Sequence, residues 1–244
     1  KSYYKDNYKL TNEDNIGFEK RRIFRIPEQI ELISIISKYK EAPAKILDIG
    51  CDRGFFLDEA RRYGYDGCGI EPLDEAREYC TRTGINVFGS LSELDFKSDI
   101  ITMWHSLEHH PNPKDALDEI WDYINDDGFI FIRVPAFDCF WRKIFGEKWI
   151  WFQPENHYFH FTLQSIRKIL QLSGYNLIEL THRKPNNNFT KSFNRLSNKT
   201  FSRFFGSKTN LRKKVSRFYQ DLTGVEIFAV AKKNKTTYDN LIDL

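Results

Sequence analysis

An α/β fold built on a parallel sheet is predicted by three features of the 244-residue sequence. Apolar strands and amphipathic helices alternate from residue 45 to residue 134, the pattern of βαβ units. The strands are nearly continuous apolar runs, such as Phe129-Ile130-Phe131-Ile132, as expected of a sheet covered on both faces. The first strand, Ile46-Leu47-Asp48-Ile49, runs into a turn carrying Gly50 and Gly54, and a helix follows.

The elements follow in order. Residues 1–27 are polar and aromatic without a clear period, and are expected to form an arm or lid ending at Pro27. Ile30, Ile33 and Ile36 recur at helical spacing, which predicts a helix over 28–39. The N-terminal unit is therefore drawn as 1–43. Strand 45–50 leads to helix 55–63, strand 66–71, helix 73–82 and a short strand near 85–88. Strand 99–104 leads to helix 114–124. Asp126-Asp127-Gly128 reads as a tight turn into strand 129–134. Residues 136–161 are dense in aromatics, from Phe137 and Trp141 to Phe161. Thr162 is suited to cap helix 163–173, which Gly174 ends. Strands 175–181 and 225–231 complete the pattern. The core is drawn as 44–182 and 223–233, with a basic helical insertion at 183–222 and a tail at 234–244.

Aromatic residues make up 16% of the chain, enough to build a sizeable core, so global disorder is excluded. A net charge of +3 decides little by itself. Cys51, Cys68, Cys80 and Cys139 form no C-x-x-C pair and no zinc-like spacing, so buried thiols in a reducing compartment are expected. Lys1-Ser2-Tyr3-Tyr4-Lys5 lacks the apolar core of a signal peptide, and no run is long enough to span a membrane. A cytoplasmic location is the expectation.

The first turn carries the chemistry. Gly50 and Gly54 let a ligand approach the backbone, and the helix N-terminus offers free N–H groups. Glu71 stands 17 residues past Gly54, at the end of the second strand, where an acid accepts hydrogen bonds from both ribose hydroxyls. A nicotinamide-cofactor loop needs G-x-G-x-x-G, and Asp52 and Phe55 occupy two of its three glycine positions. A carboxylate at Asp52 disfavours a pyrophosphate. A cofactor with a ribose and an amino-acid end but no phosphate, such as S-adenosylmethionine, fits better.

At this point the chain resembles the class I S-adenosylmethionine-dependent methyltransferases, and more narrowly their bacterial small-molecule branch of ubiquinone-biosynthesis-like enzymes. The resemblance is carried by "ILDIGCDRGFFLDEARRYGYDGCGIEP" (46–72), "SDIITMWHSLEHHPNPKDALDEI" (98–120), "DDGFIFIRVP" (126–135) and "HYFHFTLQSIRKILQLSGYNLIEL" (157–180). It implies a Rossmann-like, mostly parallel seven-stranded sheet in the order 3-2-1-4-5-7-6, with strand 7 antiparallel and helices on both faces. It implies that Asp48, Gly50, Cys51, Asp52 and Gly54 form the cofactor loop and that Glu71 binds the ribose. Pro72, Leu73, Ser90 and Leu91 would flank the adenine, Trp104 and His105 would face the methionine end, and His109 would help shape the cofactor pocket. Asp52 departs from the family, which often has glycine there.

A sulfonium methyl is already activated, so the enzyme mainly aligns a nucleophile and excludes water. His105, nearest the strand end, is the first candidate to touch substrate. His157 and His160 are candidates for a general base, with His157 ahead, because imidazole titrates near neutral pH. The bland alternative is that both pack against the end of the sheet. His105, Glu108, His109 and His110 form the densest constellation, yet Glu108-His109 matches the family's recurrent Leu-Glu-His. Pocket lining is expected there, and no metal.

Residues 183–217 contain no acid and many bases. Phe189, Phe193, Leu196 and Phe204 share one helical face, and Lys191, Arg195 and Lys199 recur on another. Such a helix suits packing on the domain with a solvated basic face first, then an anionic membrane or an anionic or lipid-linked substrate, then self-association; peripheral membrane contact through 189–217 is one open reading, and nucleic acid is not expected. The functional expectation is O-methylation of a saccharide, polysaccharide or lipid-linked intermediate. A quinone-like or natural-product acceptor comes next, and a non-catalytic binding module is the rival from another class. The oligomeric state and the acceptor atom are not legible in the sequence.

Overall fold

The computed structural model describes residues 15–149, 151–183 and 225–234, with side chains from residue 22 onward. Seven strands form one sheet: β1 (Lys45–Ile49), β2 (Asp66–Ile70), β3 (Asn86–Phe88), β4 (Ser98–Trp104), β5 (Ile124–Pro135), β6 (Tyr175–Arg183) and β7 (Glu226–Lys233). Their order is β3-β2-β1-β4-β5-β7-β6, as the resemblance implies. β7 is antiparallel to both its neighbours, and the other pairings are parallel.

Both faces of the sheet are dry. Along β1 the side chains alternate, so Ile46 packs with Ile33, Ile36, Ile100 and Phe131 on one face. Leu47 packs with Ile101, Leu117, Ile130 and Ile132 on the other. This two-sided burial accounts for the nearly continuous apolar runs of the inner strands, which Asp48, Thr102 and Arg133 interrupt.

The helices are α1 (Asn15–Ile36), α2 (Phe55–Arg62), α3 (Asp74–Arg82), α4 (Pro113–Trp121), α5 (Phe140–Phe145) and α6 (Leu163–Leu172). Helix α1 begins well before residue 28, which corrects the expectation of an irregular arm up to Pro27. Pro27 lies inside it. Among the described side chains the apolar residues just before Pro27 mark no buried face: Ile23 and Phe24 are exposed, whereas Leu32, Ile33 and Ile36 are buried. Arg22 pairs with Asp58 of α2 at 2.5 Å, and Glu31 pairs with Arg183 of β6, so ion pairs seat α1 across the sheet. The Thr162 cap is present, with its hydroxyl accepting from the Ser165 N–H at 3.1 Å.

Asp126-Asp127-Gly128 is not a turn ahead of a strand. It sits inside β5, where the pairing jumps from Ser98↔Ile124 to Ile100↔Phe129 as a bulge. The basic insertion expected at 183–222 falls almost wholly outside the described residues, as does the segment 189–217. No helix among the described residues is long and apolar enough to cross a membrane.

One close approach sets the position of the first turn. A Cβ placed on Gly69 of β2 would lie 2.4 Å from the Cys51 sulfur and 2.7 Å from its Cβ. Gly69→Ala is therefore expected to destabilise the fold by about 1–3 kcal/mol through overpacking. Urea denaturation checks this, and an unchanged midpoint would contradict the packing described.

Candidate active site

The turn after β1 is a run of alternating left-handed residues: Gly50 at φ 76°, Asp52 at φ 48° and Gly54 at φ 68°. Asp52 thus adopts the backbone conformation that glycine would have supplied, which Asp tolerates better than most residues. Gly50 is also required by space, since a Cβ there would meet the Ser106 hydroxyl at 2.7 Å. The Gly50 and Cys51 N–H groups both donate to the Ile70 carbonyl, at 2.8 and 3.1 Å, pinning the turn to the end of β2.

Glu71 is tied to that turn. The Asp52 N–H donates to Glu71 Oε2 and the Leu73 N–H donates to Oε1, each at 2.9 Å. The carboxylate is 3% exposed and lines a cavity of about 540 Å³. Burial pushes its pKa up, and the two N–H donors oppose that shift. Asp48 is buried below the turn and accepts from the Thr102 hydroxyl at 2.6 Å. Burial drives it up to about 7. All four cysteines are free, buried thiols.

Asp48, Gly50, Cys51, Asp52, Glu71, Trp104, His105 and His109 all line the cavity, as does Phe55. Pro72, Leu73, Ser90 and Leu91 are not among its lining, nor is Gly54, which packs on Ile85 and Cys80 of the neighbouring layer. The donor set fits S-adenosylmethionine. A buried acid fastened beside the loop suits a ribose diol, and the carboxylates of Asp48 and Asp52 suit an ammonium. Neither arrangement favours a pyrophosphate.

The other half of the cavity is built from charges that the sequence reading did not assemble. His105 Nε2 lies 3.1 Å from Glu226 Oε1, and His105 Nδ1 lies 3.4 Å from Glu108 Oε1. Arg133 Nε is 3.6 Å from Glu226 Oε2, and its Nη2 is 2.7 Å from Glu28 Oε1 of α1. Burial works to lower the pKa of His105, but the two carboxylates hold it up at about 9. The Arg133 guanidinium, whose Nε donates to His105 Nε2 at 3.2 Å, works against that rise. The His105 ring stacks on Trp151 at 5.6 Å.

His157 is the opposite case. It is 6% exposed, and burial lowers its pKa to about 4, so it is a neutral ring with Nδ1 unpaired among the described residues. His160 is not among the cavity lining. It packs against Phe137 and Phe152, with ring centroids at 5.3 and 5.0 Å. His109 Nδ1 lies 2.8 Å from the Asn156 carbonyl, which orients the ring. Glu108, His109 and His157 place one ligand atom each within 4.8 Å of one another. These three could hold a divalent cation, a grouping invisible in the sequence because His157 arrives from the segment after α5. His110 stays outside it.

Sequence reasoning missed Glu28, Arg133 and Glu226. The signal available was a charge inside each of two apolar strands, Arg133 in β5 and Glu226 in β7. The His105 clamp has a stability consequence. Its folded pKa lies above the ordinary value of about 6.5, so its contribution is complete below that pH and is lost as pH rises through about 9. The melting temperature should fall between about pH 7 and about pH 10, and more steeply in the wild type than in His105→Asn. Parallel profiles would refute the clamp.

Comparison with known proteins agrees with this geometry. The model of the family described as "Methyltransferase domain" matches residues 19–180, more than half of the chain. A ubiquinone biosynthesis O-methyltransferase from Shewanella pealeana is 31% identical over 98 residues, which cover 36% of this chain and 42% of that protein. The chain thus matches less than half the length of this relative. The crystal structure of a SAM-dependent methyltransferase from Archaeoglobus fulgidus superposes with a TM-score of 0.60 at 20% identity, covering 90% of this chain and all of the other. The plantazolicin methyltransferase BpumL in complex with SAH gives 0.57 at 18% identity, covering 92% of each chain. These two likenesses concern the fold. The chain belongs to the methyltransferase-domain family.

Proposed function

We propose that this protein binds S-adenosylmethionine and transfers its methyl group to a hydroxyl of a small-molecule acceptor. A saccharide, polysaccharide or lipid-linked intermediate is the acceptor class we favour. The observation that carries the cofactor reading is the Glu71 carboxylate held by the Asp52 and Leu73 N–H groups at the rim of a left-handed loop. It supports a ribose-bearing, phosphate-free ligand. The intact loop also removes the main support for a non-catalytic module, since Asp52 takes the required backbone conformation.

When bound, the cofactor supplies an activated methyl. The chain's task is to seat the acceptor, exclude water and manage one proton. Trp104, Trp151 and the α1 residues Phe24 and Leu32 wall the cavity. His157, neutral and unpaired at Nδ1 among the described residues, is the group able to accept a hydrogen bond from the acceptor hydroxyl. His105 braces carboxylates instead. The name of the curated relatives favours a second reading, a quinone-like acceptor, and a contact of 189–217 with a membrane accords with either.

Calorimetric titration with S-adenosylhomocysteine tests the cofactor assignment. Glu71→Ala is expected to weaken binding by about 1–3 kcal/mol, the cost of leaving ribose hydroxyls unpaired. An unchanged dissociation constant would refute the role of Glu71, and no binding by the wild type would refute the enzyme reading.

A further inference from the structure

Glu226 opens β7, the antiparallel strand inserted between β5 and β6. Strand polarity places the start of β7 beside the C-terminal ends of β4 and β5, since Glu226 pairs with Pro135. Its side chain therefore enters the cavity from a strand that no cofactor contact uses. The residue is 3% exposed and lines the cavity. Glu226 Oε1 is taken by His105, but Oε2 has no hydrogen-bond partner among the described residues; the Arg133 Nε lies 3.6 Å away, and the Arg183 charge acts on the carboxylate as well. Gln29 of α1 lines the same cavity with Oε1 likewise unpartnered among the described residues. A buried acceptor atom left without a donor costs stability unless a ligand supplies one.

The charges around it restrict that ligand. Glu28, Arg133, Glu226, His105 and Glu108 form a chain of alternating sign, with a carboxylate at each end and one in the middle. Each cation already lies between two carboxylates. A ligand anion would find no uncommitted cation in this chain and would face its three carboxylates; Arg25 of α1 also lines the cavity, but at its solvent-exposed side, where its charge is screened. A hydroxyl brings the missing donor without adding charge.

We infer that Glu226 anchors the methyl acceptor, its Oε2 accepting a hydrogen bond from a hydroxyl of a molecule that is neutral at that end. This rests on the methyl-transfer reading and narrows it, setting aside an anionic group at the anchored end. Glu226 fixes which hydroxyl-bearing face enters the cavity, and Arg133, braced from α1 by Glu28, holds Glu226 in place.

The test uses the full chain saturated with S-adenosylhomocysteine and three probes differing in one group: methyl glucoside, its 6-carboxylate and its 2-amino analogue. Ligand-observed NMR with a competition series gives their affinities. The neutral glycoside is expected to bind at least tenfold more tightly than the carboxylate. Glu226→Gln, which replaces one acceptor oxygen by a donor, is expected to weaken it at least tenfold while leaving S-adenosylhomocysteine affinity unchanged. Glu226→Asp keeps the charge but shortens the reach, and is expected to show the same loss if the glutamine variant does not fold. Equal or tighter binding of the carboxylate overturns the inference, as does tighter binding of the amine, which would assign the site to a cation. Unaltered glycoside binding in both variants overturns the role of Glu226. Wild-type protein that binds S-adenosylhomocysteine but none of the probes overturns the acceptor class alone. Failure to bind S-adenosylhomocysteine falls on the cofactor reading instead.

Discussion

Two backbone N–H groups, from Asp52 and Leu73, hold one carboxylate, and the cofactor half of the cavity depends on that clasp. It joins the loop after β1 to the end of β2, so two separate crossovers act as one rigid rim. The loop can meet Glu71 only because residues 50, 52 and 54 all take positive φ, which turns the Asp52 N–H inward. Glycine at 50 and at 69 gives the loop room against Ser106 and Cys51. The arrangement is pre-formed, so little ordering is left for the ligand to impose.

The other half of the cavity is organised by electrostatics rather than by backbone. Its residues come from α1, β4, β5, β7 and the segment after α5, elements far apart in the chain. What unites them is a string of ion pairs in which every cation lies between two carboxylates. Removing one member of such a string strands its neighbours in a dry site, which is costly for buried charges. The contrasting states of His105 and His157 follow from the same layout. One ring sits between carboxylates and keeps its proton, and the other is buried beside further imidazoles and loses it.

The fold and the cofactor half were legible in the sequence because both are local. Apolar runs mark the strands, and Gly50, Asp52, Gly54 and Glu71 fall within one βαβ unit, where spacing alone predicts proximity. The other half of the cavity was not legible for the same reason. Nothing in the order of residues brings His157 to Glu108, or Glu226 to His105, across 121 positions. The histidines stand out in the sequence as a group, but what each one does depends on partners that only the sheet order supplies. Helix α1 escaped because Ile23 and Phe24, ahead of Pro27, are exposed rather than turned to the core, and Asp126-Asp127-Gly128 misled because a bulge and a turn use the same residues.

The reversed direction of β7 has a consequence for how such a protein can change over time. The loop after β1 and Glu71 fall within residues 48–71, whereas Glu226 enters from β7. On the function proposed above, substitutions at the entrance to β7 would alter what is methylated while leaving the donor untouched. The two specificities would then be separately heritable, and a single strand running against the rest is what would separate them.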